Sequence, residues 1–272
     1  MAWDKRRVPY DPTRASLYRP GDADDFFRRP GAWSPATLCA ELSRLSYCND
    51  ADRRARSLAH VGLKEQEFLD VEGTQALVAV DAARVFVAFR GTDDPKALIQ
   101  DLDALPVSWE QGGQVHKGFV HYLHPVREAL ARIVRAAAGR EVSFTGHSLG
   151  AAAATLAESL SPRATLYTFG SPRVGDAAFA ATIPAERAQR FVDCCDIVCR
   201  VPPEKLQYVH VGALRYIDRN GLLSAQLTAD EIEADQRAGR GAYRRWHAWA
   251  LWKNVFLRDL ADHAPVNYVG AV

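Results

Sequence analysis

The apolar and polar positions of the chain follow two different periods. The runs "ALVAV" and "VFVAF", separated by the turn "DAAR", predict two strands in a hairpin. Three more short apolar runs, "EVSFTG", "ATLYTFG" and "RFVDCC", are typical of single strands, and "YVHVGALRYID" is typical of a further strand pair. Because helical segments separate these runs, the pattern predicts an α/β fold with a mostly parallel central sheet and helices on both faces.

Helical spacing marks the segments between and after the strands. In "SPATLCAELSRLSY", Ser34 is a helix cap and Pro35 takes the first helical position. "GFVHYLHPVREALARIVRAAAG" predicts a long helix with a kink at Pro125 and an end at Gly139. "AAAATLAESL" predicts another helix, and "TADEIEAD" predicts the capped start of a mostly helical C-terminal third.

The first residues differ from the rest of the chain. Residues 1–32 are rich in Pro, Arg and Asp and predict an N-terminal extension that straps a single domain over residues 33–272. A length of 272 residues with 48% hydrophobic and 25% charged residues is typical of one globular α/β domain.

Charge and cysteine content limit the partners. The net charge of +1 and the dispersed arginines argue against nucleic acid as a partner. The sequence shows no secretory leader and no apolar run of about 20 residues, which predicts a cytoplasmic protein without a membrane span. Five cysteines, an odd number, predict reduced thiols in that compartment. "CCDIVC" lacks the paired spacing of zinc sites, so packed thiols are expected, with neither a metal nor a cofactor.

A candidate nucleophile stands in "GHSLG". A G-x-S-x-G pattern alone is weak, but here Ser148 follows an apolar strand and precedes a helix, which is the placement of a nucleophile elbow. The backbone N–H of Leu149, at the helix N-terminus, is an expected oxyanion donor. A second donor is expected after an early strand, where "VFVAFRGTDD" places Thr92; the alternative for this segment is a simple turn.

Five motifs in order resemble a known family. "FRGT", "VHKGF", "GHSLGAAAATLA", "YTFGSPRVGD" and "DIVCRVPP" are similar to the motifs of the class 3 lipases, the α/β hydrolases typified by fungal triacylglycerol lipases. The resemblance extends from about Ser34 to the C-terminus. It implies an α/β-hydrolase fold and ester hydrolysis by a Ser, Asp, His triad through an acyl-enzyme.

The resemblance also indicates the acid and the base. It puts the acid at Asp196, immediately before "IV" and ahead of the proline pair, while Asp193, where the family often has Asn, is expected to be a turn or surface residue. The order Ser, acid, His leaves His210, His247 and His263 as candidate bases. The family's histidine falls near the chain end, as His263 does; His210 is expected to be a strand residue and His247 a packed helical residue.

The implied substrate is a lipid ester, most plainly an acylglycerol. Two alternatives stay open: a phospholipase A or lysophospholipase with the same triad, and a lipase-like protein that binds a lipid or a partner without turnover. The oligomeric state is not predicted. The segment "DDPKALIQDLDALPVSWEQGG" after Thr92 predicts either a small amphipathic flap or a loop that packs on the body.

An aromatic stretch near the C-terminus has two interpretations. "YRRWHAWALWKNVFLRDL" places Trp246, Trp249, Trp252 and Phe256 near helical spacing, with basic residues among them. A helix packed against the body is the favoured interpretation, because aromatic stripes are usually buried. Contact with a lipid surface is the alternative.

Overall fold

The computed structural model describes residues 5–28, 31–100, 105–224, 226–247, 250 and 252–272. The strands are β1 Lys64–Val71, β2 Thr74–Val80, β3 Arg84–Phe89, β4 Pro106–Ser108, β5 Gln114–His116, β6 Glu141–His147, β7 Thr165–Phe169, β8 Ala188–Asp193, β9 Ala213–Ile217 and β10 Leu223–Ser224. The helices are α1 Arg14–Tyr18, α2 Pro35–Leu45, α3 Ala51–Ala59, α4 Pro95–Gln100, α5 Lys117–Leu123, α6 Arg127–Ala136, α7 Leu149–Ser159, α8 Ala177–Ala180, α9 Ala229–Trp246, α10 Arg258–Ala261 and α11 Pro265–Ala271.

One large sheet organises the chain. Its strand order is β1-β2-β3-β6-β7-β8-β9-β10, and β4 pairs with β5 in a separate two-stranded sheet. The five central strands β3, β6, β7, β8 and β9 run parallel, whereas the outer strands pair antiparallel. The carboxyl ends of the central strands therefore meet at one edge, where α/β folds place their functional loops.

Alternation along the strands buries both faces of the sheet. In β3, Val85 and Val87 pack into the cluster that also contains Leu130 of α6 and Leu156 of α7. The intervening Phe86 packs into the opposite cluster, which contains residues of α2, α3 and α11. Strands buried on both faces read as continuous apolar runs, which is why the sequence showed their positions clearly.

Most predicted elements are confirmed, with informative differences. The hairpin of β2 and β3, the Ser34 cap of α2 and the capping box of Thr228 and Glu231 at α9 are present. The long helix is divided at Pro125 into α5 and α6 by a 3-10 turn. Helix α3 and strand β1 were not predicted, because their charged residues on an exposed edge hide the apolar period. Of the predicted strand pair, "ALRYI" forms β9, and "YVHV" contributes only an isolated bridge from Val209.

The N-terminal segment lies against C-terminal elements. The backbone N–H of Lys5 donates to the carbonyl of Asn220 at 2.7 Å, and that of Arg7 donates to Gly270 at 2.7 Å. Thr13 forms an antiparallel bridge with Asn254. The division of the chain at residue 32 stays a prediction. Among the described helices, none is both long and apolar enough to cross a membrane.

Candidate active site

Ser148 sits at a sharp turn between β6 and α7. Its φ of 60° and ψ of −128° lie in a region that non-glycine residues rarely adopt. The turn is tight enough that a Cβ at position 146 would come within 2.2 Å of the Gly150 carbonyl oxygen, so glycine is needed there. This strained strand-to-helix turn is the geometry of a nucleophile elbow.

The loop after β3 lies directly against this elbow. A Cβ at position 91 would come 2.5 Å from the His147 carbonyl oxygen and 3.1 Å from the Ser148 Cβ, so the chain passes close to the serine on its way to Thr92. The Tyr122 hydroxyl fixes the start of this loop by donating to the Arg90 carbonyl at 2.7 Å. Thr92 is half-buried, and its Oγ1 accepts from the Asp94 N–H at 3.1 Å, which leaves its own hydroxyl hydrogen free to point elsewhere.

Leu149 is the first residue of α7, where the N–H has no partner within the helix. The helix dipole adds partial positive charge at the same point. The two predicted oxyanion donors, Leu149 and Thr92, thus lie on segments that flank Ser148.

Asp196 and His263 are hydrogen-bonded, although 67 residues separate them. His263 Nδ1 lies 2.8 Å from Asp196 Oδ2, and both side chains are buried. The same oxygen accepts from the Tyr268 hydroxyl at 2.5 Å, and Asp196 Oδ1 accepts from the Val198 N–H at 2.9 Å. Burial and the negative charge of Asp196 raise the pKa of Tyr268, so its hydroxyl remains a donor. These contacts fix the carboxylate and orient the imidazole.

Ser148 Oγ and His263 Nε2 are among the buried side-chain atoms that have no hydrogen-bond partner within the described residues. Ser148 is 0% exposed and His263 is 1% exposed. Native proteins rarely leave such atoms unpaired, and a reacting group is one of the accepted reasons. In an unliganded site a nucleophile and its base are often too loosely placed to form their hydrogen bond.

His147, the residue before Ser148, contacts both Tyr47 and the backbone of His263. Its Nδ1 lies 2.9 Å from the Tyr47 hydroxyl, and its Nε2 lies 2.7 Å from the His263 carbonyl oxygen. Burial, followed by the neighbouring His263, lowers the pKa of His147, so the ring is neutral and Nε2 carries the hydrogen that the carbonyl accepts. The contacts of Tyr47 and Tyr268 were not predicted; a buried tyrosine normally has a partner for its hydroxyl, and this was the available signal.

Asp193 is a correction to the sequence analysis. Instead of a turn or surface residue, it ends β8 fully buried, and its two carboxylate oxygens lie 2.8 and 2.9 Å from Arg6 Nη2. Burial raises the pKa of Asp193, and the Arg6 guanidinium opposes that rise. Arg6 Nε also donates to the Asn267 carbonyl at 3.3 Å. The N-terminal segment therefore supplies the counter-charge of a carboxylate three residues from Asp196.

The remaining histidine and aromatic predictions have mixed outcomes. His210 lies outside the strands, with Nε2 2.9 Å from the Cys199 carbonyl oxygen, and His247 is buried at the end of α9, as expected. The favoured packed interpretation of the aromatic stretch is wrong for Trp252 and Phe256, which are 82% and 66% exposed. Trp249 and the side chain of Trp246 fall outside the described residues.

The segment after Thr92 was predicted to be either a small amphipathic flap or a loop that packs on the body, and it has features of both. It contains the short helix α4, and Leu105 is exposed, whereas Trp109 is buried with its Nε1 donating to Ser159 Oγ at 2.9 Å. Leu102 falls outside the described residues, as does the side chain of Leu98.

All five cysteines are free and buried. Cys194, Cys195 and Asp262 are close enough to form one group, but both Asp262 oxygens already accept hydrogen bonds: Oδ1 from the Tyr10 hydroxyl, and Oδ2 from Arg258 and the Cys195 N–H. This donor set does not fit a metal, because its carboxylate is already occupied.

A serine at a strained strand-to-helix turn, with a buried carboxylate and imidazole hydrogen-bonded to each other and a mostly parallel central sheet, is typical of an α/β hydrolase. The comparisons with known proteins agree. The family model described as Lipase (class 3) matches residues 86–206. The solved structure of the Rhizomucor miehei triacylglyceride lipase is 31% identical, with a TM-score of 0.56, over 67% of this chain and 77% of that chain. The chain belongs to the class 3 lipase family.

Two curated relatives extend this comparison. A lipase of Rhizomucor miehei is 34% identical over 179 residues, which is 59% of this chain and 49% of the relative. The secreted mono- and diacylglycerol lipase 1 of Fusarium solani is 32% identical over 175 residues, 59% of this chain and 52% of the relative. The chain thus spans about half the length of these curated relatives.

The secreted relative corrects one prediction. The expected cytoplasmic location, beside which export by a route independent of a signal peptide had stayed open, is contradicted, because a matched member of the family is named as secreted. The prediction rested on free thiols and on the first residues of the sequence. Since all five thiols are buried, they are shielded from oxidants, and their reduced state does not indicate a reducing compartment.

Proposed function

We propose that the protein hydrolyses carboxylic esters of lipids, with acylglycerols as the substrate class. Two buried atoms without a hydrogen-bond partner carry this proposal: Ser148 Oγ and the Nε2 of His263, whose imidazole is already oriented by Asp196. The names of similar proteins, a triacylglyceride lipase and a mono- and diacylglycerol lipase, support acylglycerols. A phospholipid ester would meet the same catalytic groups, so substrate preference must be measured.

The proposed chemistry proceeds in two halves. Ser148 Oγ attacks the ester carbonyl while His263 Nε2 takes its proton and passes it to the departing alcohol. Asp196 holds the Nδ1–H and stabilises the imidazolium, and Tyr268 keeps the carboxylate in place. Water, activated by His263, then releases the fatty acid from the acyl-enzyme.

The oxyanion forms at the carbonyl oxygen of the substrate. The Leu149 N–H and the N–H and hydroxyl of Thr92 are the proposed donors. A donor of this kind contributes about 3 kcal/mol to the transition state, because it acts where water is excluded. The strained backbone of Ser148 is explained by this arrangement, since it aims the hydroxyl and the following N–H at one point.

The test is active-site labelling combined with turnover of a lipid panel. A fluorophosphonate probe should form one adduct on Ser148, and Ser148→Ala should lower kcat on a monoacylglycerol by roughly 10⁴-fold or more. Ser143→Ala is the matched control: Ser143 lies in β6, the strand before Ser148, and its hydroxyl bonds Thr165, so the variant should keep both labelling and turnover. Unlabelled Ser148 in the folded protein, together with full turnover by Ser148→Ala, would contradict the proposal.

A further inference from the structure

Large apolar side chains are exposed together in the loop that precedes α10. Trp252 is 82% exposed, Phe256 66% and Leu257 45%, all within six residues. Soluble proteins seldom expose contiguous large apolar groups, and such patches mark surfaces that bind a partner or a membrane. We call Trp252, Phe256 and Leu257 the apolar loop.

The apolar loop is anchored from below, so its exposure is a built feature. Asn254 and Val255 between its members are buried. The Val255 N–H donates to the Pro12 carbonyl at 2.8 Å, and the Arg14 N–H donates to the Lys253 carbonyl at 2.9 Å. The N-terminal segment thus holds the loop in position with its apolar side chains directed outward.

Cationic side chains surround the apolar loop. Arg14, Lys96 and Lys253 are exposed, and none of the three forms an ion pair within the part of the chain that the structure describes. Asp94 is the acidic residue beside them, lining the same hollow as Arg14 and Lys96. The local balance is positive although the whole chain carries only +1. Such a surface complements a partner that is apolar inside and anionic at its boundary.

A hollow beside the apolar loop is lined by residues that are close in sequence to the candidate site residues. Its volume is about 440 Å³, and Phe256, Leu257 and Leu260 line it together with Lys96. Lys96 follows the proposed oxyanion residue Thr92 by four positions, and Leu260 precedes His263 by three. The hollow is thus formed by segments that adjoin Thr92 and His263 along the chain.

We propose that the apolar loop inserts into the surface of an anionic phospholipid bilayer while Arg14, Lys96 and Lys253 contact its phosphate groups. Tryptophan and phenylalanine favour the region between headgroups and acyl chains, and basic residues strengthen binding to anionic lipid. In its use for catalysis this inference rests on the proposed ester hydrolysis, but the binding itself does not depend on turnover. Apart from Lys96, the residues of this surface lie outside residues 86–206, so the family match does not account for the apolar loop itself.

The test measures vesicle binding without lipid breakdown. The full chain carrying Ser148→Ala is sedimented with vesicles of phosphatidylcholine, either alone or with added phosphatidylglycerol. Binding to the anionic vesicles is expected, and Trp252→Ser with Phe256→Ser should weaken it at least roughly tenfold. Lys96→Gln with Lys253→Gln should weaken it by about tenfold, on anionic vesicles only. Leu206→Ser, at a leucine that is 48% exposed elsewhere, is the matched control and should bind normally.

Several results separate this inference from its rivals. Equal vesicle binding by the loop variant and its parent would overturn it. So would a dimer, seen by sedimentation velocity without lipid, that the loop substitutions dissociate, because the loop would then bind a second copy of the chain. Loop variants with Ser148 intact should hydrolyse a water-soluble ester at the parent rate. Vesicle binding without any ester turnover would reject only the proposed hydrolysis, and turnover without vesicle binding would reject only this inference.

Discussion

The segment of residues 86–206 and the two segments that flank it contribute to the candidate site in different ways. In the central segment, neighbouring backbone determines geometry: Ser148 is held by its own strained turn, and Gly91 lets the next loop approach it. In the flanks, contacts between distant parts of the chain determine the geometry instead. His263 depends on Asp196 and His147, and Asp193 depends on Arg6. The nucleophile is built locally, whereas its base and the support of its acid are assembled from afar.

Removing the base that the C-terminal flank supplies should have the largest effect. His263→Ala should lower kcat by about 10⁴-fold or more, because Ser148 would lose its proton acceptor while its turn stayed intact. Ester turnover measures this, with circular dichroism to verify folding. His210→Ala is the control, since within the described part of the chain that imidazole bonds only the Cys199 carbonyl, and its loss should leave kcat near the parent value. The reverse pattern would assign the base to His210.

Breaking the ion pair between Arg6 of the N-terminal flank and Asp193 should lower the free energy of unfolding. Arg6→Met leaves the fully buried Asp193 carboxylate without its counter-charge, and we expect a loss of about 3 kcal/mol in the free energy of unfolding, measured in urea at neutral pH. Arg6→Met combined with Asp193→Asn removes both charges and should recover most of this loss. If the double variant is as unstable as the single one, the ion pair is not the cause.

Within the central segment, Glu158 of α7 should give a smaller, pH-dependent effect. Its carboxylate is buried, with Arg187 Nη2 3.2 Å away, and burial raises its pKa from the ordinary 4.5 to about 7. The folded chain therefore holds this proton more tightly than the unfolded chain does. The resulting stabilisation is complete below pH 4.5 and is lost as the pH rises through about 7.

Glu158→Gln keeps the shape and removes the titration. Thermal unfolding of the variant should depend less on pH between 5 and 8 than that of the parent, and the variant should gain roughly 1 to 2 kcal/mol relative to the parent across that interval. Asp230→Asn, at an exposed position of α9, is the control and should leave the profile unchanged. Parallel profiles for parent and Glu158→Gln would show that Glu158 is not the titrating group.

The contrast between local geometry and long-range contacts also explains which features could be predicted from the sequence. Strands β3, β6 and β7 are buried on both faces, so their apolar runs were evident, and the elbow follows from glycines beside Ser148. Strand β1 was missed because its pattern is mostly exposed. Asp193 was misjudged because its partner lies 187 residues away and leaves no local mark. The exposure of Trp252 likewise depends on where the N-terminal segment anchors the loop, which periodicity does not reveal.

The contacts of Arg6 with Asp193 and with the Asn267 carbonyl have a consequence for biosynthesis. A ribosome releases Arg6 early, but the Asn267 carbonyl that it also binds emerges 261 residues later. Contacts so far apart in sequence form late in folding. A nascent chain that has not reached His263 and Asn267 lacks both the proposed base and this contact, so the proposed activity is expected only after both have been synthesised.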